Sequence, residues 1–169
     1  MILGCRKETI KAKRKICRDY ALWVNRARKV ARYLPSEGKH VLDLGGGNGS
    51  LKRFIKYKSY TIMDNNRLEG TIYANFNSDK YPDAPNKDNL ITAIGLLEYL
   101  DDVPAFLKKI QKYGKELYFT YYQSKIKGDA WVNHFRYPEI LNMLKESGWQ
   151  LKGLQPLVAD EQALFNYEL

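Results

Sequence analysis

The sequence predicts an α/β domain built on a doubly wound, largely parallel sheet, and three observations carry that expectation. Short apolar runs suited to strands covered on both faces alternate along the chain with stretches of helical spacing. One such run, Val41 to Leu44, empties into a turn where Gly45, Gly46, Gly47 and Gly49 fill four of five positions. Asp64 then closes a second run, SYTIMD, 21 residues after Asp43.

Composition bounds the classes open to such a domain. At 169 residues the chain is long enough to bury one sizeable core without disulfides or metal. Cys5 and Cys17 are the only cysteines and no histidine pair accompanies them, so neither a zinc site nor a disulfide framework is expected. Free thiols suit a reducing cytoplasm. No apolar run approaches a membrane span, and the N-terminus alternates charge too finely for a signal peptide, so no membrane partner is expected. The net charge of +9 is concentrated early: the first 32 residues hold 11 of the 28 Lys and Arg against Glu8 and Asp19, which leaves the remainder balanced.

In chain order, residues 1–19 read as a basic arm, either a solvated helix face or a docking surface for an anionic acceptor such as RNA. The body shows no basic stripe interleaved with aromatics to extend such a surface. Tyr20, Trp23, Val24, Ala27, Val30, Ala31 and Leu34 hold helical spacing up to Pro35, so one face should pack on the sheet. The strand at Val41 leads into the glycine turn, and Leu51, Phe54 and Ile55 predict a helix after it. A dinucleotide fingerprint opens in the same way, but Ser50 stands where its third glycine belongs, and Asp43 would repel a pyrophosphate. A carboxylate there suits a positively charged ligand, and Asp64 is placed to accept from two ribose hydroxyls.

Tyr60 to Met63 form the second strand and Thr71 to Ala74 a short third. Residues 78–88, with Pro82 and Pro85, read as a loop before the strand Leu90 to Ile94. Asp101 or Asp102 caps a helix with Pro104 in its first turn and Val103, Phe106, Leu107 and Ile110 on its buried face, ending at Gly114. Glu116 to Tyr122 is the fifth strand, and the aromatic-rich FTYYQSKIKGDAWVNHF at its end lies on the side where ligands bind. A helix through Pro138, Ile140, Leu141 and Leu144 ends at Gly148, and strands follow at Trp149 to Leu157 and Gln162 to Glu168.

DLGGGNG, MDNN and NLITAIGLLEYLDD, in that order, resemble the glycine motif, the ribose-binding acid and the fourth-strand motif of the class I S-adenosylmethionine-dependent methyltransferases. The resemblance covers nearly the whole chain from about Tyr20, so it implies a methyltransferase domain over 20–169 behind the 1–19 arm. It implies a Rossmann-like seven-stranded sheet of order 3-2-1-4-5-7-6, the last strand antiparallel, with helices on both faces. S-adenosyl-L-methionine is the implied cofactor and S-adenosyl-L-homocysteine the product. Asp43, Gly45, Gly46, Gly47, Asn48, Gly49, Asp64, Asn65, Gly95 and Leu96 would line the cofactor site. Asn75 stands where relatives often place an acid for the adenine amino group, and its amide oxygen can still accept that bond. Phe76 either edges the adenine or belongs to the core.

Methyl transfer needs positioning and water exclusion more than covalent chemistry, with a base only for an acceptor of high pKa. His134 is the best candidate base, and Tyr99 is a second catalytic candidate. Tyr99, Tyr121, Tyr122, Trp131, Asn133 and His134 are expected to frame the acceptor, while Glu98 reads as a structural hydrogen-bond partner and His40 as surface. A balanced body without an inserted domain favours an oxygen or nitrogen of a small molecule or saccharide. The alternatives are an RNA methyltransferase using the arm, or a partner protein that binds the cofactor without turnover.

Overall fold

A computed structural model of the chain describes residues 21–123, 131–158 and 162–169; the basic arm expected over 1–19 lies outside them. In chain order the elements are α1 (Ala21–Ala31), β1 (His40–Leu44), β2 (Ser59–Asp64), β3 (Thr71–Tyr73), β4 (Leu90–Ile94), α2 (Val103–Lys109), β5 (Glu116–Tyr122), α3 (Tyr137–Glu146), β6 (Gln150–Val158) and β7 (Gln162–Glu168). The seven strands form one sheet in the order β3-β2-β1-β4-β5-β7-β6. Strands β1 to β5 run parallel, while β7 is antiparallel to both β5 and β6. The expected Rossmann-like order is therefore the observed one.

Alternation along the central strands divides the core between the two faces of the sheet. Leu42, Leu44, Ile91, Ala93, Leu117 and Phe119 point to the face covered by α2 and α3, where they meet Phe106, Leu107, Ile140 and Leu144. Phe119 stacks on Phe165 of the neighbouring strand at 4.8 Å, and the Trp149 indole donates to the Leu107 carbonyl at 3.1 Å. On the opposite face Val41, Leu90, Tyr118 and Leu164 pack against Ala27, Val30 and Leu34 of α1 and the turn after it. Among the described residues no helix is long and apolar enough to cross a membrane.

The caps follow the residues expected to make them. Asp102 caps α2 by accepting from the Ala105 N–H at 2.9 Å, and a 3-10 turn, Ile110–Tyr113, carries the chain on to Gly114. A Cβ on Gly114 would collide with the Asn89 carbonyl oxygen, so only glycine lets the chain enter β5 there. Glu139 accepts from the Arg136 N–H at 2.7 Å to close the start of α3.

One element differs from expectation. The helix read from Leu51, Phe54 and Ile55 is a single 3-10 turn, Leu51–Arg53. The β1–β2 connection runs only from 45 to 58 and the glycine turn uses its first part, which leaves no room for an α-helix. Leu51 is buried, and Phe54 and Ile55 pack half-buried against the same cluster as α1, so one turn satisfies the apolar spacing. In this protein α1 does most of the covering on that face.

Candidate active site

β1 lies between β2 and β4 where the strand order reverses, so the carboxyl ends of β1 and β4 flank the crevice where a doubly wound sheet binds ligands. The glycine turn forms one lip. Gly45 donates from its N–H to the Met63 carbonyl at 2.7 Å, continuing the β1–β2 ladder by one bond. A Cβ on Gly46 would lie 2.5 Å from Asp43 Oδ2, so a side chain there is excluded. Gly47 has φ +53° with nothing within 4 Å of where its Cβ would stand, and its N–H donates to Asp64 Oδ2 at 2.9 Å. The turn is thus a bare backbone lip tied to the end of β2, and exposed Asn48 steadies it by accepting from the Ser50 hydroxyl at 2.7 Å. Gly49 is buried behind it with φ +73°.

Asp43 lies under this lip, 2% exposed, with Oδ2 accepting from the Tyr60 hydroxyl at 2.5 Å and Oδ1 from the Thr92 hydroxyl at 2.8 Å. Burial pushes its carboxyl up to about 6, the two hydroxyls and the Arg26 guanidinium oppose that rise, and Asp64 adds to it. Burial and the adjacent Asp43 charge push the Tyr60 hydroxyl far above its ordinary range, so it remains a donor. A direct contact between Asp43 and a ligand is corrected by this geometry: both oxygens are held internally, and the charge acts through the turn as a field.

Asp64 is also nearly buried, and its Oδ1 accepts from the Asn66 N–H at 2.7 Å. Each of its oxygens accepts one of these internal bonds, and a carboxylate offers about four acceptor positions, so it can also serve two ribose hydroxyls. Asn65 is exposed beside it. Asn75 is exposed and its Oδ1 accepts from the Asn77 N–H at 3.1 Å; Asn77 in turn donates to the Tyr99 carbonyl at 3.1 Å. Phe76 is core: it is buried, with edge contacts to Tyr81 and Phe106 at 5.4 and 5.7 Å.

The second lip is the turn after β4. The Leu96 side chain occupies the space a Cβ on Gly45 would need, so the two lips touch. Gly95, at φ +72°, leaves room for the guanidinium of Arg26, which a Cβ would strike. Arg26 donates from Nη2 to the Ile94 carbonyl at 3.2 Å and lies over the Trp23 ring at 4.0 Å. Glu98 is 2% exposed; its Oε1 accepts from the Tyr122 N–H at 3.0 Å and its carbonyl from the Val132 N–H at 2.9 Å. Burial raises the pKa of Glu98 and the Arg26 charge opposes the rise.

The expected acceptor residues separate into two groups. Tyr121 is wholly buried, accepts from the Phe135 N–H at 2.7 Å and donates to Asn133 Oδ1 at 2.8 Å. The Asn133 amide donates to the carbonyls of Leu97 and Leu100 at 2.7 and 2.9 Å. Both were expected at an acceptor surface, and both instead brace the chain after β5 against the turn after β4. Tyr122, Trp131 and His134 form an aromatic row with centroid spacings of 5.2 and 5.9 Å, and His134 is exposed at its end. Tyr99 is half-buried in the turn beside Glu98. His40 is half-buried at the other end of β1, with Nδ1 2.6 Å from the Ser59 hydroxyl.

Three residues of the site have no counterpart in the motif reading. Thr92 and Tyr60 are the hydroxyls that hold Asp43, and each is a polar interruption in an apolar strand, directly across from β1 in the register. Arg26 carries no comparable signal, because Arg28 and Lys29 beside it give that helix the look of a solvated face.

The residues present fit an adenosine ligand with a sulfonium and an amino-acid end: a bare lip without Cβ atoms, an acid at the end of β2, and buried negative charge beneath. Fold and site together define the class, that of the S-adenosylmethionine-dependent methyltransferases of class I. A family model described as a methyltransferase domain matches residues 12–154, and the chain belongs to that family. A solved SAM-dependent methyltransferase from Aquifex aeolicus is similar at a TM-score of 0.69 and 16% identity, over 92% of this chain and 96% of its own. A Burkholderia thailandensis 1,6-didemethyltoxoflavin-N1-methyltransferase, solved with 1,6-didemethyltoxoflavin and S-adenosylhomocysteine, gives 0.68 and 14% over 98% and 85%. A Haloferax volcanii putative methyltransferase in complex with its Trm112 activator gives 0.64 and 14% over 85% and 88%. No curated protein matches the chain.

Proposed function

We propose that the protein transfers a methyl group from S-adenosylmethionine to an oxygen or nitrogen of a small-molecule or saccharide acceptor. The observation that carries the acceptor reading is the row of Tyr122, Trp131 and His134 at the carboxyl end of β5, beside the crevice. Aromatic faces stack on a planar ring or on the apolar face of a sugar. The charge-balanced body and the small-molecule acceptor in the Burkholderia neighbour support the same reading.

When bound, S-adenosylmethionine supplies a methyl group on a sulfonium, already activated for displacement. The chain's own part is to orient and to exclude water. Asp64 holds the ribose, the glycine lip admits the adenosine, and Trp131 fixes the acceptor. His134 takes the proton from an acceptor hydroxyl, with Tyr99 as the second group within the same wall.

Labelled methyl transfer to phenolic, amine and saccharide panels tests this reading. With the acceptor so found, Trp131→Ala should raise its KM roughly tenfold, the loss of about one ring contact, while S-adenosylhomocysteine affinity holds. His134→Ala should lower kcat by about 100-fold or more. An unchanged KM and kcat in both variants would remove the row from the acceptor site.

A further inference from the structure

We propose that Arg26 recognises the carboxylate at the amino-acid end of the cofactor, which makes α1 part of the cofactor site. The inference rests on reading the β1–β4 crevice as the S-adenosylmethionine site. That ligand brings two positive charges, a sulfonium and an ammonium, and one negative charge, a carboxylate. Asp43, Asp64 and Glu98 are all buried around the crevice. Their charge suits the cationic groups and repels the carboxylate, so the carboxylate needs a cation close by.

Arg26 supplies one at the required place. Its Nη2 donates to the carbonyl of Ile94, the last residue of β4, and its guanidinium lies in the space left by Gly95. The position is the switch point of the sheet, next to the glycine lip. The guanidinium plane rests on the Trp23 ring at 4.0 Å, which fixes the direction of its donors. A planar fork of donors serves a backbone carbonyl and a carboxylate together, which a point-charge lysine does less well. The charge is felt by both buried acids, since it opposes the rise in the pKa of Asp43 and of Glu98.

A purely structural role, neutralising Asp43 and Glu98, predicts a different pattern of binding. The test is calorimetric titration of the native chain, Arg26→Met and Arg26→Lys with two probes. One probe is S-adenosylhomocysteine; the other is its decarboxylated form, which keeps the adenosine, thioether and ammonium. Arg26→Met should weaken S-adenosylhomocysteine binding on the order of 10- to 100-fold, as for a charged hydrogen bond, and change the decarboxylated probe by less than about threefold. Arg26→Lys should fall between, keeping the charge without the fork. If Arg26→Met does not fold, the lysine variant carries the comparison, since it keeps a cation beside both acids. Equal weakening of both probes would assign Arg26 to structure alone and overturn the proposal. Native binding of neither probe would overturn the reading of the crevice, and this inference with it.

Discussion

Asp43 is held in place at a cost to the fold, and the cost has a definite pH signature. Its carboxyl rises from 3.8 to about 6 because burial outweighs the hydroxyls of Tyr60 and Thr92. A folded-state pKa above the unfolded one means that the native state binds more protons between the two values. Stability from this group is therefore full below about pH 4 and is lost as pH rises through about 6, a difference of about 3 kcal/mol. Asparagine keeps the size and can bond both hydroxyls without the charge. Urea unfolding should then show the Asp43→Asn variant gaining on the native protein from pH 4 to 7 by up to about 3 kcal/mol. A difference that does not vary with pH would contradict the assignment. At this scale the sequence disclosed what was local. Gly46 and Gly47 were legible because a crowded turn needs them, whereas Arg26 was not, because only the docking of α1 brings it to Gly95.

Among the elements, the turn after β4 and the chain after β5 are joined by side chains rather than by a ladder. Asn133 makes three of those bonds, to Tyr121, Leu97 and Leu100. Asn133→Ala would leave the two carbonyls and the Tyr121 hydroxyl without these partners, at a cost of about 2 to 4 kcal/mol. Thermal melting should register that loss. Acceptor KM should rise while S-adenosylhomocysteine affinity changes little, because the brace positions Trp131 and not Asp64. Equal loss of both affinities would mean that the brace holds the whole site. Strand order and the bounds of β7 were legible, since buried strands and family motifs leave few arrangements. The 3-10 turn at Leu51 was not, because an i, i+3, i+4 apolar spacing is met equally by one turn and by the start of a helix.

For the molecule as a whole, the short β1–β2 connection makes α1 indispensable. Ala27, Val30 and Leu34 complete a core on the face of Val41, Leu90, Tyr118 and Leu164 that little else covers. A chain beginning at Ser36 should bind a hydrophobic dye, lose its cooperative melt and lose cofactor binding. A cooperative melt with dye-free surfaces would show that the sheet stands alone. The same feature sets the order in which the molecule assembles. Lys29 donates to the carbonyl of Leu157, 128 residues later, and Arg26 to that of Ile94, 68 residues later. Contacts so distant in sequence form slowly, because a long chain segment must close before they are rewarded. Synthesis delivers α1 well before the strands it covers, so the helix waits for the sheet. The cofactor crevice is among the last parts of the protein to exist.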